Sequence, residues 1–406
     1  MTKLDELIQE LCPDGVKYKA LGEICKLVTG ATPSKTNAAY WENGTIPWMS
    51  SGEVNLKRVA ATEKKITQLG YEKNSTTIVP KHSVVIALAG QGKTRGKAAI
   101  TEIELCTNQS LCSMICNENL DYKFLYYILD GKYEELRAIS NGDGTRGGLS
   151  LKILAPYKIP VPPLPVQREI VRILDNFTEL TAELTAELTA RKQQYAYYRN
   201  KLLKKNTKAI KMEFGDMFNF QNGFAFKSRL FKESGNAILR IANIKENQIS
   251  TDNLAFFDEA DYKEDLSQYI VRQSDIVIAM SGATTGKIGV NVTPFNFYLN
   301  QRVGKFIPKE NIILNRYLYH LLLQMSGEIY AISEGGAQPN LSSEKLKKLT
   351  AYIPPISEQK RIVKVLDRFD TLCTDLSSGL PAEIEARQKQ YEYYRDKLLT
   401  FGERFN

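Results

Sequence analysis

Pro165-Val166-Gln167-Arg168-Glu169-Ile170-Val171-Arg172-Ile173-Leu174-Asp175-Asn176-Phe177 returns 192 positions later as Ser357-Glu358-Gln359-Lys360-Arg361-Ile362-Val363-Lys364-Val365-Leu366-Asp367-Arg368-Phe369. A second stretch, Arg191-Lys192-Gln193-Gln194-Tyr195-Ala196-Tyr197-Tyr198-Arg199-Asn200-Lys201-Leu202-Leu203, returns as Arg387-Gln388-Lys389-Gln390-Tyr391-Glu392-Tyr393-Tyr394-Arg395-Asp396-Lys397-Leu398-Leu399, now 196 positions on. The later copy therefore carries four extra residues between the two anchors. Fainter echoes precede them at 192: Val84-Val85-Ile86-Ala87-Leu88-Ala89-Gly90 with Ile276-Val277-Ile278-Ala279-Met280-Ser281-Gly282, and Leu149-Ser150 with Leu341-Ser342. One duplication of about half the chain accounts for all of these, giving the order module, helical segment, module, helical segment. The boundaries read as 1–158, 159–208, 209–352 and 353–406.

Residues 167–205 read as one long helix. Ile170, Ile173, Leu174, Phe177, Leu180, Leu184, Leu188, Tyr195, Tyr198 and Leu202 follow three- and four-residue steps, and no Pro or Gly interrupts them. Pro160, Pro162, Pro163 and Pro165 are expected to prevent an earlier start. At its centre Thr181-Ala182-Glu183-Leu184 repeats as Thr185-Ala186-Glu187-Leu188. Such a helix spans about 58 Å at about 1.5 Å per residue. The later copy contains Ser377-Ser378-Gly379-Leu380-Pro381, where a break is expected. Its apolar positions include Leu366, Phe369, Tyr391, Tyr394 and Leu398. A stripe this long needs a partner, and the nearest is the other copy. The modules mix short strand-like runs with Gly/Asn/Ser-rich loops, and each ends in a Tyr- and Leu-rich helix. The predicted fold is α+β: two pseudo-two-fold-related modules with short-stranded sheets, separated by two long antiparallel helices forming a coiled-coil spacer.

Ala87-Leu88-Ala89-Gly90-Gln91-Gly92-Lys93-Thr94 nearly satisfies the phosphate-binding loop pattern, but Ala87 replaces its first glycine. The counterpart ends Gly286-Lys287-Ile288, without a hydroxyl for a metal. A P-loop NTPase is thus a rejected alternative. Both loops follow apolar strands and present glycines, lysines and polar side chains, which suits contact with DNA bases and phosphates. The candidates are Gln91, Lys93, Thr94, Arg95 and Lys97, then Thr284, Thr285 and Lys287. To these are added Arg146, Arg240, Asn243, Lys245 and Gln338.

The chain has 406 residues, enough for two or three domains, and 54 Lys plus Arg against 46 Asp plus Glu, a net charge of +8. That balance is compatible with a polyanionic partner. No window reads as a membrane span or secretory leader, so the expected location is the cytoplasm. The six cysteines fall at irregular spacings and read as buried thiols, not a disulfide framework. Two distant histidines, His82 and His320, leave no Ser-His or Cys-His pair, so neither catalysis nor a metal site is expected. A coiled-coil scaffold would explain the helices but not two divergent loop-rich modules.

The arrangement resembles the specificity (S) subunits of type I restriction-modification systems over essentially the whole chain. The likeness is strongest in the Thr-Ala-Glu-Leu repeats at 181–188 and in the blocks at 191–199 and 387–395. Gly30-Ala31-Thr32-Pro33-Ser34-Lys35 through Trp41-Glu42-Asn43-Gly44-Thr45-Ile46-Pro47-Trp48 also looks like the opening of a target-recognition domain. The resemblance implies the subfamily with such tetrapeptides in the central helix. It further implies two target-recognition domains that read the halves of an asymmetric bipartite site in double-stranded DNA. The subunit would be non-catalytic and hold no cofactor. It would recruit two methyltransferase (M) subunits using S-adenosylmethionine, and two restriction/translocase (R) subunits using ATP and Mg.

Overall fold

The computed structural model describes residues 2–90, 94–140, 148–204, 208–334, 336, 339–375 and 378–404. The chain forms two compact units, Met1–Glu183 with Glu385–Asn406, and Leu184–Ile384.

In the first unit Val84, Val85, Ile86 and Ala87 are all fully buried. Such a continuous apolar run belongs to a strand covered on both faces. Alternation sorts its side chains: Val84 and Ile86 enter the main core, while Val85 and Ala87 enter a smaller one with Met49, Val54 and Val59. This strand lies at the middle of a five-stranded sheet ordered Cys25–Thr29, Leu111–Cys116, Val84–Ala87, Ala98–Thr101, Arg58–Val59. A four-stranded sheet (Lys64–Ile66, Ile46–Met49, Leu105–Thr107, Ile78–Val79) and the pair Tyr18–Ala20 with Lys158–Pro160 complete it.

The second unit repeats the plan. Ile276 and Ile278 face its main core, Val277 and Ala279 a smaller one. Their strand, Ile276–Ala279, lies in a six-stranded sheet ordered Phe218–Asn222, Val303–Pro308, Ile276–Ala279, Ile288–Val290, Gln248–Ile249, Ile244–Lys245. A four-stranded sheet (Ala255–Phe257, Asn236–Leu239, Phe297–Leu299, Ile270–Val271) and the pair Ile210–Glu213 with Thr350–Ile353 correspond to those of the first unit. The fold is α+β with short strands, as expected.

The long helix is continuous over Leu164–Leu202, 39 residues. It begins three residues before the predicted start. Pro165 lies in the first turn, where a missing N–H removes no intrahelical bond, so the proline is tolerated rather than excluding the helix. The later copy is broken as expected, into Ile356–Thr374 and Leu380–Leu398. A Cβ on Gly379 would stand 2.6 Å from the Asp375 carbonyl oxygen and 2.8 Å from that of Thr371, so only glycine permits this close turn.

Within each unit, the start of one helical segment packs with the end of the other. In the first, Phe177 stacks on Tyr394 with centroids 5.4 Å apart, and Leu174, Tyr391 and Leu398 join the main core. In the second, Phe369 stacks on Tyr198, also at 5.4 Å, with Tyr195, Leu202 and Leu366 in its core. The central leucines depart from the predicted stripe. Leu180 is 45% exposed, Leu184 and Leu188 are half-buried, and none of the three enters either core. The four-residue repeat outruns the 3.6-residue turn, so its leucines drift around the axis.

Candidate nucleic-acid interface

The loops singled out by sequence are tips of β-hairpins. In the first unit Gly96 N–H donates to the Ala87 carbonyl at 2.8 Å, Ala87 N–H to that of Lys97 at 3.0 Å, and Lys97 N–H to that of Thr94 at 2.9 Å. In the second, Gly286 to Ala279 (2.8 Å), Ala279 to Lys287 (2.9 Å) and Lys287 to Thr284 (3.0 Å) repeat the pattern. Gly96 and Gly286 both take positive φ, +84° and +83°, where a side chain would be strained. Each loop leads into an antiparallel strand, Ala98–Thr101 or Ile288–Val290. A phosphate-binding loop instead opens a helix whose N-terminus faces the phosphate. The hairpin geometry therefore removes the P-loop reading.

Sequence-distant segments meet at these tips. Leu149 N–H donates to the Leu88 carbonyl (2.8 Å) and Leu341 N–H to that of Met280 (2.7 Å). The chain leaving 141–147 and 335–338 is thus anchored at the end of the same strand that carries each hairpin. Gln91, Lys93, Arg146 and Gln338 themselves lie outside the described residues.

The remaining candidates divide by exposure. Lys287 is exposed; Thr94, Arg95, Lys97 and Thr284 are half-buried. Lys97 Nζ donates to Asn55 Oδ1 at 2.9 Å. Thr285 is buried, with its hydroxyl 2.7 Å from the Gly282 carbonyl and 2.8 Å from that of Pro339. It ties the hairpin to the neighbouring loop and presents no free edge. Asn243 is likewise buried: its Oδ1 accepts from Arg240 N–H (3.1 Å) and its Nδ2 donates to the Asp252 carbonyl (2.8 Å). Both were predicted as contacts; burial makes them builders of the loops. Arg240 donates to the Asn253 carbonyl at 2.5 Å, and Lys245 pairs with Asp252 at 2.9 Å. Lys245 and Ser250 hold the Asp252 carboxyl below the usual carboxylate range. The turn carrying Arg240 adjoins the second hairpin, since a Cβ on Gly282 would lie 3.4 Å from Ile241 Cδ1.

Sequence reading missed the fastenings at the end of each sheet away from the tip. Gln167, fully buried, accepts from Asp121 N–H (2.8 Å) and donates to the carbonyls of Asn119 (2.9 Å) and Pro162 (2.7 Å). Gln359 does the same with Leu314 N–H (2.9 Å), Ile312 (2.9 Å) and Pro354 (2.9 Å). Each bolts the first turns of a helical segment to the start of a Tyr-rich helix, Tyr122–Gly131 or Asn315–Gln324. Two turns on, Asp175 accepts from Lys123 (2.6 Å) and Tyr127 (2.6 Å), and Asp367 from Arg316 (2.8 Å) and His320 (2.8 Å). Recurrence of Gln and Asp at 192 was the signal; an alignment shows recurrence but not what each side chain grips.

Among the described residues no group of His, Cys, Asp or Glu is placed to hold a metal, and no helix is long and apolar enough to cross a membrane.

The pattern of the type I restriction modification DNA specificity domain matches residues 13–191 and again 206–386. The type I restriction enzyme EcoR124I/EcoR124II specificity subunit of Escherichia coli is 30% identical over 416 residues, covering 99% of this chain and 97% of that protein. The MjaVIII specificity subunit of Methanocaldococcus jannaschii is 25% identical over 411 residues, 96% of this chain and 92% of its own. Among solved structures, the S subunit of a type I restriction-modification system from M. genitalium superposes with a TM-score of 0.58 at 17% identity, covering 98% of this chain and 99% of that one. Two modules built alike, each carrying its own match, place the chain plainly: it belongs to the family of type I restriction-modification DNA specificity subunits.

Proposed function

We propose that each module reads one half of an asymmetric, bipartite site in double-stranded DNA, and that the helical segments set the unread gap between the halves. The observation that carries this is the paired hairpin: the same backbone hydrogen bonds hold 94–97 and 284–287, yet Arg95 of the first stands where the second has the buried Thr285, so only the first tip offers a guanidinium there. Identical tips would suit an inverted repeat; unlike tips suit two different half-sites. The contacts are assigned to Thr94, Arg95, Lys97, Arg240, Thr284 and Lys287, with Gln91, Lys93, Arg146 and Gln338. Lysine and arginine are suited to phosphate or guanine, glutamine to adenine.

On this reading the functional division is 1–158 and 209–352 for recognition, with 159–208 and 353–406 as spacers. The subunit is non-catalytic, works in the cytoplasm and binds no cofactor. It recruits two M subunits, which flip and methylate adenine with S-adenosylmethionine, and two R subunits driven by ATP and Mg. The Thr-Ala-Glu-Leu repeats support assigning it to the subfamily whose central helix carries such units.

The test is adenine-methylation mapping of genomic DNA after co-expression with a cognate M subunit. One asymmetric motif with a fixed gap is expected. A stable complex that methylates no motif would favour a scaffold instead. The spacer assignment has its own check. One tetrapeptide adds about 6 Å of helix, against about 3.4 Å of rise per base pair. Deleting 185–188 should therefore shift the preferred gap by one or two base pairs, and a folded variant that keeps the parental gap refutes the assignment.

A further inference from the structure

In the first unit's five-stranded sheet Cys25 stands directly opposite Cys116, where Cys25–Thr29 runs antiparallel to Leu111–Cys116. Asn117 N–H donates to the Ile24 carbonyl at 3.0 Å immediately beyond the pair. A backbone bond in that place makes the two cysteines a non-hydrogen-bonded pair, the class whose Cα atoms lie about 4.5 Å apart. Disulfides span Cα separations of about 4.4–6.8 Å, so the pair falls inside that window. Both side chains pack into the same core and so leave the sheet on one face. Cys112, by contrast, faces Thr29, and Cys106 lies between Trp48 and Ile78 in the other sheet.

Access is one-sided. Cys25 is buried, whereas Cys116 is half-buried and lines a cavity of about 320 Å³ with His82, Asn117, Asp121 and Arg168. The Cys25 side chain, then burial, hold the Cys116 thiol well above its ordinary range, so Cys116 rests as a thiol and reacts slowly at neutral pH.

We propose that Cys25 and Cys116 form an oxidisable pair, converted by a low-molecular-weight disulfide into an intrachain disulfide across the sheet. Cys116, on the cavity side, loses its proton and attacks one sulfur of the small disulfide, expelling one thiolate and leaving a mixed disulfide. Cys25 then loses its proton and attacks the Cys116 sulfur, expelling the second thiolate. The two released protons go to the two expelled thiolates. Two protein thiols are oxidised and one small disulfide is reduced to two thiols. The bond staples the edge strand to the strand that also pairs with Val84–Ala87, the arm of the first hairpin. The second unit has no counterpart, because Phe218 and Pro308 occupy the equivalent opposed positions. Oxidation therefore acts on one unit alone.

The experiment incubates the full chain with oxidised glutathione under native conditions, alkylates remaining thiols and maps the peptides by mass. The expected product is a Cys25–Cys116 linked peptide, two hydrogens lighter, with the other four cysteines alkylated. Closing that loop should raise the first unit's thermal midpoint by about 5 °C or more. Dithiothreitol should reverse the shift, and Cys116→Ser should abolish both it and the linked peptide. Recovery of all six cysteines alkylated, linkage of any other pair, or a lasting mixed disulfide on Cys116 beside alkylated Cys25 would overturn the proposal. Should Cys116→Ser not fold, mapping of the unaltered chain decides by itself.

Discussion

Where each helical segment is fastened to its module, the two units build the same joint from different chemistry. In the first unit Asp175 is gripped by Lys123 and Tyr127, with Arg58 at 3.4 Å; in the second Asp367 is gripped by Arg316 and His320. Arg316 also reaches Asp370 at 2.8 Å and covers the Tyr319 ring at 4.4 Å. The glutamine bolts, however, keep their partners unchanged in kind. Groups that satisfy buried backbone are constrained by the fold itself, since the N–H and C=O groups must find partners whatever the side chains. Side-chain clamps need only balance charge and fill space, so they can diverge.

The bolts should show the largest effect. Gln167→Leu or Gln359→Leu leaves one buried N–H and two carbonyls without their side-chain partner, and each should destabilise its own unit by about 3–5 kcal/mol. Denaturant unfolding with hydrogen exchange resolved by unit reads this. Equal losses sharpen the correspondence; tolerance in one unit breaks it.

The clamps should separate the units by pH. Burial pushes the His320 pKa below its ordinary 6.5, against the hydrogen bond it donates to Asp367, which raises it. Neutral His320 is fully satisfied, with Nε2–H donating to Asp367 and Nδ1 accepting from the Tyr195 hydroxyl at 2.8 Å. A second ring proton would force the Tyr195 hydroxyl to turn and accept, and Arg316 lies beside the ring while Asp370 and Tyr319 complete the surroundings. The unfolded chain binds the proton more readily, so the second unit should lose stability as pH falls below about 6.5, by up to about 1.4 kcal/mol per pH unit. Asp367, held low by His320 and Arg316 despite burial, contributes stability that is lost only at still lower pH, below about 4. With Tyr127 in place of histidine, the Asp175 clamp of the first unit should contribute no such loss near pH 6. Parallel pH profiles in both units would refute the assignment, and His320→Gln should flatten the second unit's response.

The smallest effect should fall at the centre of the long helix. Leu174, fully buried, should cost about 3 kcal/mol on change to alanine. Leu180→Ala should change stability by less than about 0.5 kcal/mol, because nearly half of that side chain is exposed and it enters neither main core. Thermal unfolding of the two variants gives the contrast directly, and a large loss at Leu180 would show that its exposed face is covered.

Much of this was legible in advance. Repetition at 192 revealed the duplication, unbroken apolar steps the helix, and Ser377-Ser378-Gly379 the break in its copy. The hairpin tips were found through their glycines and lysines, although a motif resembling a phosphate loop competed for the same residues. Less legible was the use of individual polar side chains. Asn243 and Thr285 carry functional groups suited to bases, yet both are buried and engaged within their loops. Type and spacing cannot distinguish these uses, because exposure depends on segments far away in the chain.

Periodicity and repetition along the chain were enough to settle the helical segments and the duplication, while the family came from the resemblance of particular blocks, 181–188, 191–199 and 387–395. Long-range contacts alone settled the rest. They joined the start of one helical segment to the end of the other in Phe177·Tyr394 and Phe369·Tyr198, brought 148–149 and 339–341 to the hairpin arms, and set Cys25 against Cys116. Each of these pairs residues dozens to hundreds of positions apart. Their partnership is fixed by register and packing, which no window of sequence contains.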